Sequence, residues 1–583
     1  MQRISRRHFL IGSGAIAMGL LAACSSPPAA APTTAAKPTE APKPVATAQP
    51  ASAAAPSPAA SPAAAAPAAS PATAASPGAA PAASPAASPA AAAPAPAAKP
   101  AASGGSSKDT LVLAQTQDAI TMDPPMHSLI QNNTILMHIF DSLVYLDGQG
   151  KLQPMLATTW EASPDGKVWT FKLRQGVKFH NGEPFDSAAV KFSLDRALNP
   201  DQKSPTRSKI AAIAKVEAPD PSTVVLTTVQ PFALLPFTLV GFGAMPMPPK
   251  YTQEKGDAEV AKNPVGTGPY KFVEWVKDDH ITLEANPDYW GEKAKIKRVT
   301  IRPIPENGTR VAELRSGGVD LIVNPPPQEM AALGAGETKT IVQPSLWAIT
   351  LGIDALRPGP LQDKRVRQAL NYAIDKEAII KGIFGGMGKP INSLAVPEVF
   401  GYDASLPVYP YDPAKAKSLL AEAGAASIPL VLTTRVGNTL NDKDACEAIV
   451  GYLKAVGIDA SLRTMENGVW AQWSNNKGRD GIWYGGWRGD YPEVDGYAFS
   501  NLVSGQFQGY LKSDDLDKVV QQARETIDPA KRAELYKQVG KLSNDLATHV
   551  FLYQLPDTYA AKKSLNWQAK PDSVVELWGA SFS

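Results

Sequence analysis

Cysteine is nearly absent from this chain: Cys24 and Cys446 are the two thiols in 583 residues. That excludes a disulfide-stapled scaffold and a cysteine-ligated metal centre. Histidine is sparse as well, with His8, His127, His138, His180, His280 and His549 scattered at no metal-ligand spacing. Neither sign of charge dominates, with 57 Lys and Arg against 55 Asp and Glu. No basic block stands out, so no nucleic-acid partner is expected. A Gly-x-x-x-x-Gly-Lys phosphate loop is missing, which argues against ATP hydrolysis by this chain, and there is no Gly-x-Ser-x-Gly nucleophile elbow. Gly266-Thr267-Gly268 resembles the start of a dinucleotide loop, but Pro269 and Tyr270 follow and the third glycine is lacking. No catalytic residue, metal or cofactor is expected. Ser, His and Asp assembled from distant positions stay open as an alternative.

What is present begins with an address. Ser5-Arg6-Arg7-His8-Phe9-Leu10 is a twin-arginine pattern, followed by the apolar run Ile11 to Ala23. The run falls short of the about 20 residues that a membrane span needs, so residues 1–24 read as a signal. Its end, Leu21-Ala22-Ala23-Cys24, resembles the lipobox of bacterial lipoproteins, which implies acylation of Cys24 and cleavage just before it. Cys446 then stands alone, in an apolar-periodic helix where a free cysteine behaves as a small core residue rather than a reactive thiol. Residues 25–107 are almost entirely Ala, Pro, Ser and Thr, without an aromatic side chain. Such a stretch cannot bury enough apolar surface to offset its ordering entropy and is expected to be a disordered tether. About 80 residues reach on the order of 50 Å.

The body from Lys108 onward is about 475 residues, enough for two or three domains. Helix and strand patterns alternate, which argues an α/β class. Strands are expected at Leu111–Ala114, Val168–Arg174, Val224–Thr228, His280–Glu284 and Val299–Ile304; in the second, Trp169, Phe171 and Leu173 alternate with polar residues, so one face is buried. Asp412-Pro413 and Asp528-Pro529 each open a helix with an N-cap and a first-turn proline, and Gly424 closes the former. Asp363 precedes a helix whose Val366, Ala369, Leu370, Ala373 and Ile374 form one stripe before Gly385-Gly386. Asp165-Gly166 and Asn181-Gly182 are hairpin turns.

Several segments together resemble the extracytoplasmic solute-binding proteins of the peptide/nickel family of ABC importers. They are Trp160-Glu161, Ser163-Pro164-Asp165-Gly166, Trp169-Thr170-Phe171 and Gly176 to Gly182; Asn263 to Tyr270; Asn286-Pro287-Asp288-Tyr289-Trp290; Val366 to Leu370; and Trp487 to Pro492. One departure is Ala188-Ala189-Val190, where the family often has an Asp before the Val. The resemblance implies a large periplasmic-binding-protein-like α/β fold of two lobes closing on a ligand. Lobe I is placed at 108–143, 264–345 and 557–583, an extra domain at 144–263, and lobe II at 346–556. It implies a monomer outside the cytoplasm, in the periplasm or on the cell surface, that captures a di- or oligopeptide and passes it to permease and ATPase subunits. An oligosaccharide or nickel-complex binder, a sensor on the same fold and a tethered hydrolase are the alternatives.

The candidate ligand residues centre on Trp483 to Pro492, where glycines allow close backbone approach and aromatics supply apolar walls. Trp487, Gly489 and Tyr491 are expected at the ligand. Asp490 matches the Asp that pairs with the peptide α-amino group in peptide binders, or else it caps the Tyr491-Pro492 turn. Arg435 lies one place from a carboxylate-binding Arg of dipeptide binders, the alternative being a solvated surface residue. Asn132 and Asn133 fall in a region that lines the cleft in relatives.

Overall fold

The computed structural model describes residues 108–435, 440–476, 478–489 and 491–583. An eleven-stranded sheet organises it. Its strands are β1 (Thr110–Gln115), β2 (Tyr270–Val276), β3 (His280–Ala285), β4 (Arg298–Pro303), β5 (Leu321–Val323), β6 (Thr338–Ile353), β7 (Pro429–Arg435), β8 (Asp459–Met465), β9 (Ile482–Trp487) and β10 (His549–Lys562). They lie in the order β8-β7-β9-β6-β10-β5-β1-β4-β3-β2, with the short strand Lys389–Pro390 also paired to β10. A separate four-stranded antiparallel sheet orders Ala157–Ala162, Val168–Leu173, Thr223–Thr228 and Ile213–Asp220. The five expected strands are all present, to within a residue or so at each end.

β6 and β10 join the two halves of the large sheet. They pair antiparallel from Thr338 opposite Lys562 to Gly352 opposite His549. The Lys562 end of β10 also pairs with β5, whereas the Ile353 end of β6 pairs with β9. Between those ends the register slips, after Gln343 and before Trp347. Pro344 and Pro556 fall at this break, and proline cannot donate to a ladder. Side chains fill in: Ser345 Oγ donates to the Leu555 carbonyl and Gln554 Nε2 to the Ser345 carbonyl, both at 2.6 Å.

Separate apolar cores flank this break. One gathers Leu111, Leu113, Ile281, Val299, Ile301 and Leu321 with C-terminal residues such as Val575 and Leu577. Two others pack on β6, β9 and β10, one with Val366, Leu370 and Cys446, the other with Tyr497, Leu516 and Tyr536. A further core belongs to the four-stranded sheet, whose Trp169, Phe171 and Leu173 pack with Val190 and Leu194 of the helix Ser187–Leu198. Cys446 is fully buried in the helix Asp442–Ala455, and burial pushes its thiol up to about 12.

Helix ends follow their capping chemistry. Asp412 accepts from the Lys415 amide at 2.8 Å, and Asp528 from the Ala530 and Lys531 amides at 2.9 and 3.2 Å. The stripe after Asp363 is buried as expected, but it does not continue to Gly385-Gly386 as one helix. The helix Lys364–Ala373 stops, Ile374 is extended, and Asp375 caps a second helix, Lys376–Ile383, by accepting from the Ala378 amide at 2.9 Å.

The motif strings turn out to be joinery. A Cβ on Gly266 would lie 2.0 Å from the Ile139 carbonyl oxygen, and one on Gly268 would lie 2.6 Å from that of His138. Next to them, the buried Asp141 carboxylate accepts from Thr267 Oγ1 and Tyr289 Oη at 2.9 Å and from Trp290 Nε1 at 2.8 Å. Two distant motifs are thereby tied to one residue. Burial pushes Asp141 up to about 6 against the pull of those donors.

Candidate functional site

A cavity with several convergent polar groups opens over β9, with a volume of about 290 Å³. β6 supplies Thr350 and Gly352, β7 ends in Arg435, and β10 begins with His549. The helix Asn467–Asn475 contributes Trp470 and Ser474, and the loop after it Arg479. β9 itself gives Trp483, Gly485, Gly486 and Trp487. The sheet is built to make this floor. Gly352 stands opposite Trp483, and a Cβ there would fall 2.1 Å from the indole, so the glycine lets that ring lie across β6. A Cβ on Gly485 would meet no atom within 4 Å, so β9 offers bare backbone to the cavity.

The electrostatics of the pocket are one-sided. Arg435 and Arg479 sit 5.9 and 5.7 Å from the Trp470 ring centroid. The Nε of each is buried and has no hydrogen-bond partner among the described residues. Arg479 also lies over Trp483, Phe507 and Tyr510, and donates to Gln508 Oε1 at 2.6 Å and to Ser474 Oγ. Burial pulls Arg479 down to about 10, opposed by Tyr510 and reinforced by Arg435. Arg435 is lowered by burial, with Asp442 opposing. His549 is held near 4 by burial and by Arg479, so it is neutral at physiological pH and gives the pocket no further charge.

Of the residues singled out from sequence, Arg435 and Trp487 come together in this cavity. Trp487 is fixed by donating Nε1 to the Gly496 carbonyl at 2.8 Å. Gly489 has φ +71 and abuts the Tyr497 ring, 2.7 Å from where a Cβ would stand. Tyr491 lies elsewhere, buried in the core of the four-stranded sheet with its ring 5.9 Å from Phe237. Asn132 is also elsewhere: it accepts from the Ile120 amide and donates to the Thr121 carbonyl, both at 2.8 Å, which fixes that loop. Asn133 accepts from the Phe242 amide at 3.0 Å. Asp490 and Cys24 lie outside the described residues. Sequence reasoning missed Trp470, Arg479 and His549. The Trp470-x-x-Trp473 spacing was the one visible hint of an aromatic helix face.

A second cavity, of about 260 Å³, lies beside the register break. Leu146, Gly150, Pro344, Leu346 and Pro492 line it, with Asp147, Glu398 and Asp572 as acids and no basic side chain among the described lining residues.

An aromatic-walled, cationic pocket on one half of a sheet crossed by two long strands suits the binding of a small solute. The model of the bacterial extracellular solute-binding proteins, family 5 Middle, matches residues 151–509. The chain belongs to that family. The glutathione-binding protein GsiB of Salmonella paratyphi A is 33% identical over 449 residues, covering 74% of this chain and 86% of the relative. DppA from Helicobacter pylori, an ABC transporter-associated periplasmic binding protein in complex with the peptide STSA, is 28% identical with a TM-score of 0.72, covering 82% of this chain and 98% of that one. AgaA of A. tumefaciens R10, in complex with agropinic acid, is 28% identical with a TM-score of 0.70, covering 81% and 99%. Among the described residues no helix is long and apolar enough to cross a membrane.

Proposed function

We propose that this chain is the substrate-binding component of an ABC importer. Held outside the cytoplasm by a lipid on Cys24, it takes a di- or oligopeptide into the cavity over β9 and delivers it to permease and ATPase subunits. The observation that carries the peptide reading is the cavity itself: indoles for side chains, bare glycine backbone for hydrogen bonds, and a guanidinium with open donors for a carboxylate. Relatives named for glutathione and for a bound peptide support it. Arg435 receives the C-terminal carboxylate, Asp490 the α-amino group, and Trp487 an apolar side chain. The lobes divide at the register break, near 345 and 556, where Pro344 and Pro556 loosen the ladder. Closure follows from differential affinity, since ligand favours the state in which more of it is contacted. The protein acts as a monomer, needs no cofactor and turns nothing over.

Calorimetry with free and N-acetylated peptides tests the reading. Asp490→Asn is expected to weaken a free peptide at least about tenfold, the worth of 1.4 kcal/mol. The acetylated peptide should bind poorly to both proteins. Equal losses for the two ligands would reduce Asp490 to a turn-capping residue. Absence of any peptide binding would overturn the peptide reading in favour of a sugar or metal complex, and reproducible hydrolysis abolished by a single Ser, Asp or Glu substitution would overturn the binder-only reading.

A further inference from the structure

The pocket holds more positive charge than one peptide terminus can answer. Arg479 is 3% exposed, yet it lines the cavity with a buried Nε that has no partner among the described residues. The nearest acid in sequence, Asp480, is spent elsewhere: Arg463 takes it in an ion pair while donating Nε to Thr433 at 3.0 Å. Among the described residues no carboxylate forms an ion pair with Arg435 or Arg479. The two cations share one indole, Trp470, as neighbour. Neighbouring rings and two neutral acceptors, Gln508 Oε1 and Ser474 Oγ, orient Arg479 without neutralising it. A buried cation left so is costly unless an anion joins it.

We propose that Arg479 is a specificity-determining residue that receives a second carboxylate of the ligand, so that the preferred solute is a peptide carrying two carboxylates and a free amino group. This rests on the peptide reading above and narrows it. Arg435 holds the C-terminal carboxylate, and Arg479 holds the other, whether on an acidic side chain or at the α-position of a γ-linked glutamate. The planar guanidinium, held between rings, presents its open donors in a fixed direction, which suits bidentate capture of a carboxylate. Gln508 and Ser474 hold the guanidinium in that direction by accepting from Nη1 and Nη2. A ligand with one carboxylate leaves Arg479 closed in without a counter-ion, and the cleft discriminates against it for that reason.

Two ligand pairs test this by calorimetry on the purified protein, each pair differing by one carboxylate. They are Glu-Ala-Gly against Gln-Ala-Gly, and reduced glutathione against 4-aminobutyryl-cysteinyl-glycine. In any pair that binds, the diacid is expected to bind at least tenfold tighter. Arg479→Gln should reduce that preference to less than twofold, and Arg479→Lys should restore part of it. The C-terminal amide of the diacid should lose affinity in wild type and Arg479→Gln alike, but not in Arg435→Gln. Because the wild-type comparison needs no substitution, a variant that misfolds does not remove the test. Equal affinity within the pairs in wild type overturns the proposal and leaves the peptide reading standing. If no peptide of any kind binds, the peptide reading itself falls, and the role of Arg479 with it.

Discussion

Asp557 sits where β10 resumes its ladder after the Pro556 break, and its Oδ2 is buried without a hydrogen-bond partner. Burial pushes it up to about 7, with the neighbouring Ser573 hydroxyl and Arg488 pulling the other way. The native state therefore keeps a proton that the unfolded chain, at its ordinary value of 3.8, gives up. Stability from this group is highest in acid and falls as pH rises from about 4 through about 7. Asp557→Asn stays neutral throughout, so its stability relative to wild type should climb across that window. The gain should exceed about 1 kcal/mol by pH 8, given about 1.4 kcal/mol per tenfold in proton affinity. Urea unfolding of both proteins at three pH values checks it; a difference that stays flat with pH would mean an ordinary carboxyl. At this scale the sequence was a partial guide to the site. Arg435 and Trp487 were legible because each lay within or beside a recognisable string. Arg479 was not, because Lys477-Gly478-Arg479-Asp480 reads as a solvated charged turn until the fold encloses it between rings. Tyr491 shows the converse: an aromatic two places from a glycine suits a ligand wall and a domain core equally, and it packs in the core of the four-stranded sheet.

Elements were more legible than residues, since capping and alternation are local. Asp412, Asp528 and Asp363 each accept amide hydrogens at a helix start, and the alternation of Trp169, Phe171 and Leu173 marks the buried face of its strand. The split at Ile374 was hidden, because Asp375-Lys376-Glu377 suits the polar face of a continuing helix as well as it suits a new cap. Why Gly266-Thr267-Gly268 must be what it is could not be read from sequence either, as the reason lies more than a hundred residues away, in the carbonyls of His138 and Ile139. This gives a contrast between two glycines of the motif strings. Gly182 has φ +89 and open space around it, so Gly182→Ala meets only backbone strain, about 1–2 kcal/mol. Gly266→Ala drives a methyl into a backbone carbonyl at the joint that Asp141 ties, and should cost at least about 3 kcal/mol. Thermal unfolding of both variants decides it. Equal and small losses would show that the helix Ile130–Ile139 can retreat from the loop.

At the scale of the whole molecule the binding body and its attachment are separable problems. The described residues that line the candidate cavity run from Thr350 to His549, far along the chain from Cys24. The proposed attachment rests on lipid arithmetic: one acyl chain binds a membrane only marginally, and durable anchoring takes two or more. On the proposed lipobox reading, a diacylglyceryl group on the Cys24 sulfur, with its two acyl chains, meets that need. Cys24→Ser should therefore appear in the soluble fraction and leave the detergent phase, while the wild type partitions with membranes. Its peptide affinity should stay within about twofold of wild type, a change of roughly 0.4 kcal/mol. The two readouts divide the outcomes. Equal incorporation of labelled fatty acid by both proteins would remove the lipobox reading and leave the cavity untouched. Loss of affinity in a soluble, folded Cys24→Ser chain would mean that residues before Lys108 take part in binding. On the proposed twin-arginine reading, changing Arg6 and Arg7 together to Lys is expected to hold the chain in the cytoplasm, because the paired guanidinium groups are what separates such a signal from an ordinary apolar leader; unchanged export would point to a different route.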